Sequence, residues 1–145
     1  MITYDDFKKV EIRAGKILSA EKIPDTDKLL KLSVDFGTKI QPVQSVVPPV
    51  AAPGTVVTPE VPSAEIVQPA PEIIPDIRQI VSGISMYFPD PATLVGKTCM
   101  FVTNLEPRKI KGYESNGMLF AVSDANGNFS LLEPNTTIQP GTKAA

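Results

Sequence analysis

Histidine is absent from this 145-residue chain, and cysteine occurs once, at Cys99. Without an imidazole there is no Ser-His-Asp arrangement, no histidine metal ligand and no histidine general base. A lone cysteine cannot build a disulfide or a cysteine-cluster zinc site within one chain. Cys99 stands in the apolar run Cys99–Val102 and reads as a small buried hydrophobe. No histidine- or cysteine-based catalytic or metal site is therefore expected, and no cofactor is expected. Long apolar runs are missing too, since none approaches the roughly 20 residues of a membrane span. Met1–Asp6 lacks the basic and apolar regions of a signal peptide. The expectation is a cytoplasmic chain with no membrane contact.

Positive charge is missing from one stretch. All 14 Lys and Arg lie outside residues 40–77, where the only charges are Glu60, Glu65, Glu72 and Asp76. The net charge of −2 thus hides a remainder at +2. Nine of the 15 prolines also fall between Pro42 and Pro75. Proline at that density suits neither a sheet interior nor a helix, so an extended, polyproline II-like insert is expected at 40–77. Its β-prone pairs, such as Val46-Val47 and Ile73-Ile74, are separated by prolines that act as breaks against aggregation. The reading is one domain over 1–145, interrupted by this insert.

What is present is a series of short strands around one basic stretch. Thr3 and Asp6 form a capping-box pair for a short helix over Thr3–Lys9, with Phe7 as its anchor on the barrel. Val10–Ile23 reads as a long strand, with Gly15 marking a bend or bulge. Pro24–Asp27 is a turn. Lys28–Phe36 then alternates, Leu30, Leu32, Val34 and Phe36 against Lys31, Ser33 and Asp35, and Gly37 ends it. Arg78–Ser85 resumes the barrel, with Gly83 at a bend. Gly96-Lys97-Thr98 is not a P-loop end, because position 91 is Pro91 and a strand, not a helix, follows. Thr98–Thr103 and Ser115–Val122 are strands, and Asn126-Gly127 signals a hairpin before Phe129–Leu132. Between the two apolar strands Cys99–Val102 and Met118–Val122 runs a basic loop. Arg108, Lys109 and Lys111 lie there, with Pro107 fixing φ and Gly112 permitting φ > 0. Cations so confined suit phosphate contact. Their plain alternative is a solvated turn.

Several ordered motifs carry a family resemblance. They are Val10-Glu-Ile-Arg-Ala-Gly-Lys-Ile17, Asp27-Lys-Leu-Leu-Lys-Leu32, Arg78-Gln-Ile-Val-Ser-Gly-Ile84, Phe88-Pro-Asp-Pro, Asn104-Leu-Glu-Pro-Arg-Lys109 and Glu114-Ser-Asn-Gly-Met118. The chain resembles the tRNA-binding domain of bacterial methionyl-tRNA synthetases, which also occurs as a beta subunit and as free-standing tRNA-binding proteins. The resemblance covers 2–38 and 78–143. It implies an all-β OB-fold, a five- to six-stranded barrel with short helices, that binds tRNA and catalyses nothing. The synthetase catalytic elements agree: His-Ile-Gly-His is impossible without histidine, and Lys-Met-Ser-Lys-Ser is absent.

By that resemblance the tRNA-binding residues are Lys28, Arg78, Asn104, Arg108, Lys109, Lys111, Ser115, Asn116 and Met118. The cations would contact phosphates, and Asn104, Ser115 and Asn116 would hydrogen-bond sugar or base; Met118 has a core alternative. Many relatives carry a histidine where this chain has Ile23, and Tyr113 is the only aromatic in the loop, so base stacking has little support there. The resemblance further implies a homodimer formed with the C-terminal segment, and a methionyl-tRNA synthetase catalytic subunit as a possible partner. Two competing readings remain. One is an export-chaperone-like dimer that binds unfolded peptides. The other is a scaffold module whose Pro-rich insert recruits a partner, as Pro59-Glu-Val-Pro62 would suit an aromatic groove.

Overall fold

The computed structural model describes residues 1–41 and 72–145. By compactness the chain divides into two units, 1–38 with 75–145, and 39–74; the account here is of the first. Most of the Pro-rich insert, residues 42–71, lies outside the described residues, and with it the reading of that segment as an extended arm.

The short helix α1, Tyr4–Lys8, is capped as the sequence predicts: Thr3 Oγ1 accepts from Asp6 N, and Asp6 returns a bond to Thr3 N. It buries no residue. Phe7 is 49% exposed, so it does not anchor the helix on the barrel. Its two aromatic residues, Tyr4 and Phe7, cannot build a buried face on a helix of fewer than two turns.

Strands β1 (Ile12–Lys22), β2 (Leu30–Gln41), β3 (Glu72–Ser82) and β4 (Thr98–Val102) follow in order. They are completed by β5 (Arg108–Ile110), β6 (Tyr113–Ser115), β7 (Met118–Leu119), β8 (Ala121–Ser123) and β9 (Phe129–Leu131). The main sheet has the order β3-β2-β1-β4-β7, with β5-β6 and β8-β9 as separate hairpins. This is an OB-like all-β fold, curled into a half-barrel. Single-turn 3₁₀ segments at Ser85–Tyr87 and Pro91–Leu94 lie between β3 and β4. No described helix is long and apolar enough to cross a membrane.

The alternation of β2 sends Leu30, Leu32, Val34 and Phe36 inward, where they meet Ile17, Ile80, Leu94, Cys99, Phe101, Leu119 and Leu131. Burial pushes the Cys99 thiol up to about 11, so it is a neutral packing group at ordinary pH. Two glycines behave differently from the sequence reading. The register slip in β1 falls between Ile17 and Ser19, not at Gly15. Gly15 instead permits close packing: a Cβ there would stand 2.6 Å from Val34, 2.7 Å from Phe36 and 2.9 Å from Phe101. Gly37 does not end β2 but sits within it at φ 80, its N–H held by Asp35 Oδ1 at 2.8 Å. Strands β2 and β3 also reach further into the Pro-rich stretch than alternation alone predicts, β2 to Gln41 and β3 from Glu72, across Pro75.

Gly15→Ala is expected to destabilise the barrel by about 2 kcal/mol through overpacking, read as a lower chemical denaturation midpoint at unchanged m-value. A variant as stable as the parent would mean that Val34 and the two rings repack freely.

Candidate nucleic-acid interface

The stretch expected as a basic loop is a two-stranded hairpin. β5 and β6 pair antiparallel with Arg108 opposite Ser115, Lys109 opposite Glu114 and Ile110 opposite Tyr113. Lys111 and Gly112 make the turn at φ 51 and φ 85. Positive φ at both central residues is the type I′ geometry, whose twist matches paired strands. Glycine takes it without cost, whereas lysine does so uncommonly. The turn therefore holds the Lys111 side chain at the tip, where it is exposed.

The hairpin is fastened to β3 by groups on both sides. Val81 N donates to Ser115 Oγ at 3.0 Å, and Ser115 Oγ donates to Gly117 O at 3.0 Å. Gln79 Nε2 donates to Glu114 O at 2.8 Å, and Asn116 N donates to Gln79 O at 2.9 Å. Gly117 lets the chain pass close to β4, since a Cβ there would lie 2.9 Å from Val102 O. At the tip, Lys31 Nζ sits 5.7 Å from the Tyr113 ring centre, a cation–π contact between β2 and β6.

The root of the hairpin loop is tied down more firmly. Arg78 makes a bidentate pair with Asp76, Nε to Oδ1 and Nη2 to Oδ2 each at 2.9 Å, while Nη1 donates to Thr103 O at 2.7 Å. The Asp76 side chain is 3% exposed. The hydrogen bond to Asp76 holds the Arg78 guanidinium still more firmly protonated than an ordinary arginine. Its plane also covers the Phe36 ring at 5.4 Å. Thr103 Oγ1 donates to Glu11 Oε1 at 2.7 Å, which with Arg13 keeps that carboxyl below its usual range. Asn104 Oδ1 accepts from Glu11 N at 2.8 Å, and its Nδ2 donates to Lys9 O.

Charge pairing separates the cations into two sets. Lys8, Lys9, Arg13, Lys31, Arg78 and Lys97 each sit within ion-pair distance of a carboxylate. The Glu21 carboxylate, 2.6 Å away, raises the Lys31 ammonium above its ordinary range. Among the described residues, no carboxylate is at ion-pair distance from Lys16, Lys22, Lys28, Arg108, Lys109, Lys111 or Lys143, all exposed, and three of these seven lie together on the β5-β6 hairpin. A phosphate arriving there displaces no carboxylate partner.

The residues singled out from the sequence therefore fall into two kinds. Arg108, Lys109 and Lys111 gather on the hairpin as exposed cations, and Lys28 lies apart in the turn before β2. Arg78, Asn104 and Ser115 are brought together around the hairpin's root with their polar atoms engaged inside the chain. Asn116 is half-buried beside them. Met118 is 48% exposed rather than core. With Val81, Leu105, Arg108 and Ile110 it lines a hollow of about 110 Å³. Gln79 and Asp76 were not among the residues singled out. Gln79 stands in a motif already noted, and Asp76 sits two residues from Arg78, the same-face spacing of a strand.

A family model described as “Putative tRNA binding domain” matches residues 12–71 and 71–143. The chain is 41% identical over 143 residues to a methionine–tRNA ligase of Methanoregula boonei, and 39% identical over 142 residues to one of Methanospirillum hungatei. These alignments cover 99% and 98% of this chain and 15% of each relative, so the chain spans about 15% of the length of the curated relatives it matches. It is similar in structure to the MetRS related protein from Pyrococcus horikoshii, with 30% identity, a TM-score of 0.69, and coverage of 100% of this chain and 98% of that one. The chaperone CsaA from Bacillus anthracis shares the fold at 21% identity and a TM-score of 0.66, covering 100% of this chain and 99% of that one.

Arg78→Ala is expected to cost about 3 kcal/mol, the low end for breaking a buried ion pair, because Arg78 keeps partial exposure. Thermal or urea unfolding checks this. An alanine variant of parental stability would show that the guanidinium is not what holds β3 to the Thr103 carbonyl.

Proposed function

The chain belongs to the tRNA-binding domain family, and from that premise we propose that it is a non-catalytic module holding tRNA on the outer surface of the Arg108–Ser115 hairpin. Its role is to raise the tRNA affinity of a methionine–tRNA ligase, as an appended domain or as a beta-subunit-type partner acting in trans. The observation that carries this reading is the confinement of Arg108, Lys109 and Lys111, all without carboxylate partners among the described residues, to one rigidly anchored hairpin. Phosphates would meet these cations and Lys28, releasing condensed counterions. Arg78, Asn104 and Ser115 would act by holding the hairpin in place, and Asn116 and Met118 border the surface. No bond is made or broken; the module supplies binding and orientation to a catalytic centre elsewhere. We read 1–145 as one domain interrupted between β2 and β3.

We propose further that the chain works as a homodimer. The N-terminal segment exposes Ile2, Tyr4, Phe7 and Val10, and a cleft of about 250 Å³ runs between α1, Ile12 and Lys143–Ala145. Covering these residues with a second copy would bury an apolar surface that the barrel leaves open. Two hairpins on one particle would also gain effective concentration on one tRNA. Binding of unfolded peptides is less well supported: the apolar hollow at Met118, about 110 Å³, and the N-terminal cleft, about 250 Å³, both fall below the usual range of ligand pockets.

Lys109→Ala and Lys111→Ala are each expected to weaken binding of all tRNAs alike and to flatten the slope of log affinity against log salt by about one unit. Ser115→Ala should leave that slope unchanged, since a hydroxyl releases no counterion. Filter binding across a salt series reads both effects. A Lys109/Lys111 double variant with parental affinity and slope would reduce the hairpin to a solvated turn. Damage confined to Leu105 and Met118 variants would favour the peptide reading. For assembly, sedimentation at tens of micromolar should give a dimer that Phe7→Glu converts to monomer; a parent that sediments as monomer would count against the dimer.

A further inference from the structure

The hairpin offers charge but no free aromatic face. The chain has three tyrosines. Tyr4 carries Lys8 Nζ at 4.9 Å from its ring centre, and Tyr113 carries Lys31 Nζ at 5.7 Å. Tyr87 alone has no cation over it among the described residues. It stacks on Phe129 with ring centres 4.1 Å apart and planes 8° from parallel. Phe88 braces Phe129 from the side, edge-on at 6.0 Å, and both phenylalanines pack against the core. Tyr87 is nonetheless 40% exposed. Phe129 is the one ring against Tyr87 among the described residues, and no cation lies over the other face of Tyr87.

The position of this ring links it to the cations. It ends the Ser85–Tyr87 turn, and Ser85 N donates to Lys28 O at 3.1 Å. Lys28 opens the run into β2, where Lys31 reaches the hairpin tip at Tyr113. Tyr87 thus lies two residues from a contact to the Lys28 turn, and β2 leads from that turn to the Lys31–Tyr113 contact at the hairpin. The nearest acid on β8-β9 is Asp124, whose carboxylate accepts from Asn126 N, Asn128 N and Asn128 Nδ2 within its own turn.

We propose that Tyr87, backed by Phe129, is a stacking platform for an unpaired base of the RNA whose phosphates lie on the hairpin and Lys28. This rests on the RNA-binding reading above and adds a contact of a different kind. A third ring on the free face of Tyr87 extends an existing stack whose two protein members are already fixed by the core. Every base has a π face, so the contact is sequence-tolerant and requires only that the base be unstacked.

The chain has no tryptophan, so its emission comes from three tyrosines, and the difference between the parent and Tyr87→Phe isolates the share of Tyr87. Binding of tRNA, or of a single-stranded oligonucleotide, should quench it. Tyr87→Phe should keep the affinity and lose the part of the quenching that Tyr87 contributes. Tyr87→Leu should weaken binding about fivefold or more, the lower range for one base–aromatic stack, at an unchanged salt slope. Circular dichroism melts and the retained slope show that the leucine variant is folded with its hairpin intact. If Tyr87→Leu binds as tightly as the parent while the Lys109/Lys111 variant fails, the platform is wrong and the hairpin reading stands. If the parent binds neither nucleic acid, both fall.

Discussion

The guanidinium of Arg78 is the contact on which the rest of the interface depends. It joins β3 to the segment leaving β4 through the Thr103 carbonyl, and lies over Phe36 of β2. Its partner Asp76 is nearly sealed from water, so the pair is costly to form and more costly to break. A bidentate fork fixes direction as well as distance. The Thr103 carbonyl it grips belongs to the residue whose hydroxyl holds Glu11, and the next residue, Asn104, holds Glu11 N and Lys9 O. Sequence-distant segments at 9–11, 76–78 and 103–104 are thereby locked at the point where the hairpin chain departs.

This changes what the polar residues of the motifs do. Read as a string, Asn104, Ser115 and Arg78 look like groups to hydrogen-bond a nucleic acid. In the fold their donors and acceptors are engaged within the chain, and for the buried Ser115 and the part-buried Arg78 an unmade bond would cost more than a made one gains. Rigid support is itself useful at a charged surface. Lysines on a flexible loop lose conformational freedom when a phosphate binds, whereas lysines on a pinned hairpin have only their side chains left to order.

Much of the fold was legible along the chain. The inward run Leu30, Leu32, Val34, Phe36 follows from strict alternation, the Thr3–Asp6 capping pair from its spacing, and the β8-β9 turn from Asn126-Gly127. Burial of Cys99 also followed from its apolar neighbours. The β5-β6 hairpin was hidden because its strands are three residues each and its turn uses lysine where asparagine is the usual signal. The role of Gly15 was hidden for another reason. Strand glycines serve both bulges and close packing, and only the positions of Val34, Phe36 and Phe101 decide between them. The hairpin cations could be named from the sequence as candidates. Which cations are already paired could not, because Lys31 meets Glu21 and Lys97 meets Glu133 only across strand registers and chain returns.

That pairing pattern explains how a chain of net charge −2 can present a surface to phosphate. At physiological salt, charges further apart than about 8 Å are largely screened, so a polyanion feels the local arrangement and not the sum. Where each cation has a carboxylate at hydrogen-bond distance, an incoming phosphate gains little, because it competes with a partner already in place. Over Lys31 and Lys97 the field is nearly cancelled in this way. Over Arg108, Lys109 and Lys111 no carboxylate stands at ion-pair distance among the described residues. Glu106 lies outside the paired strands, and Glu114 faces Lys109 in register without closing an ion pair. The basic surface therefore rests on ion pairs left unmade on one hairpin more than on an accumulation of lysines, which is why the total charge of the chain conceals it.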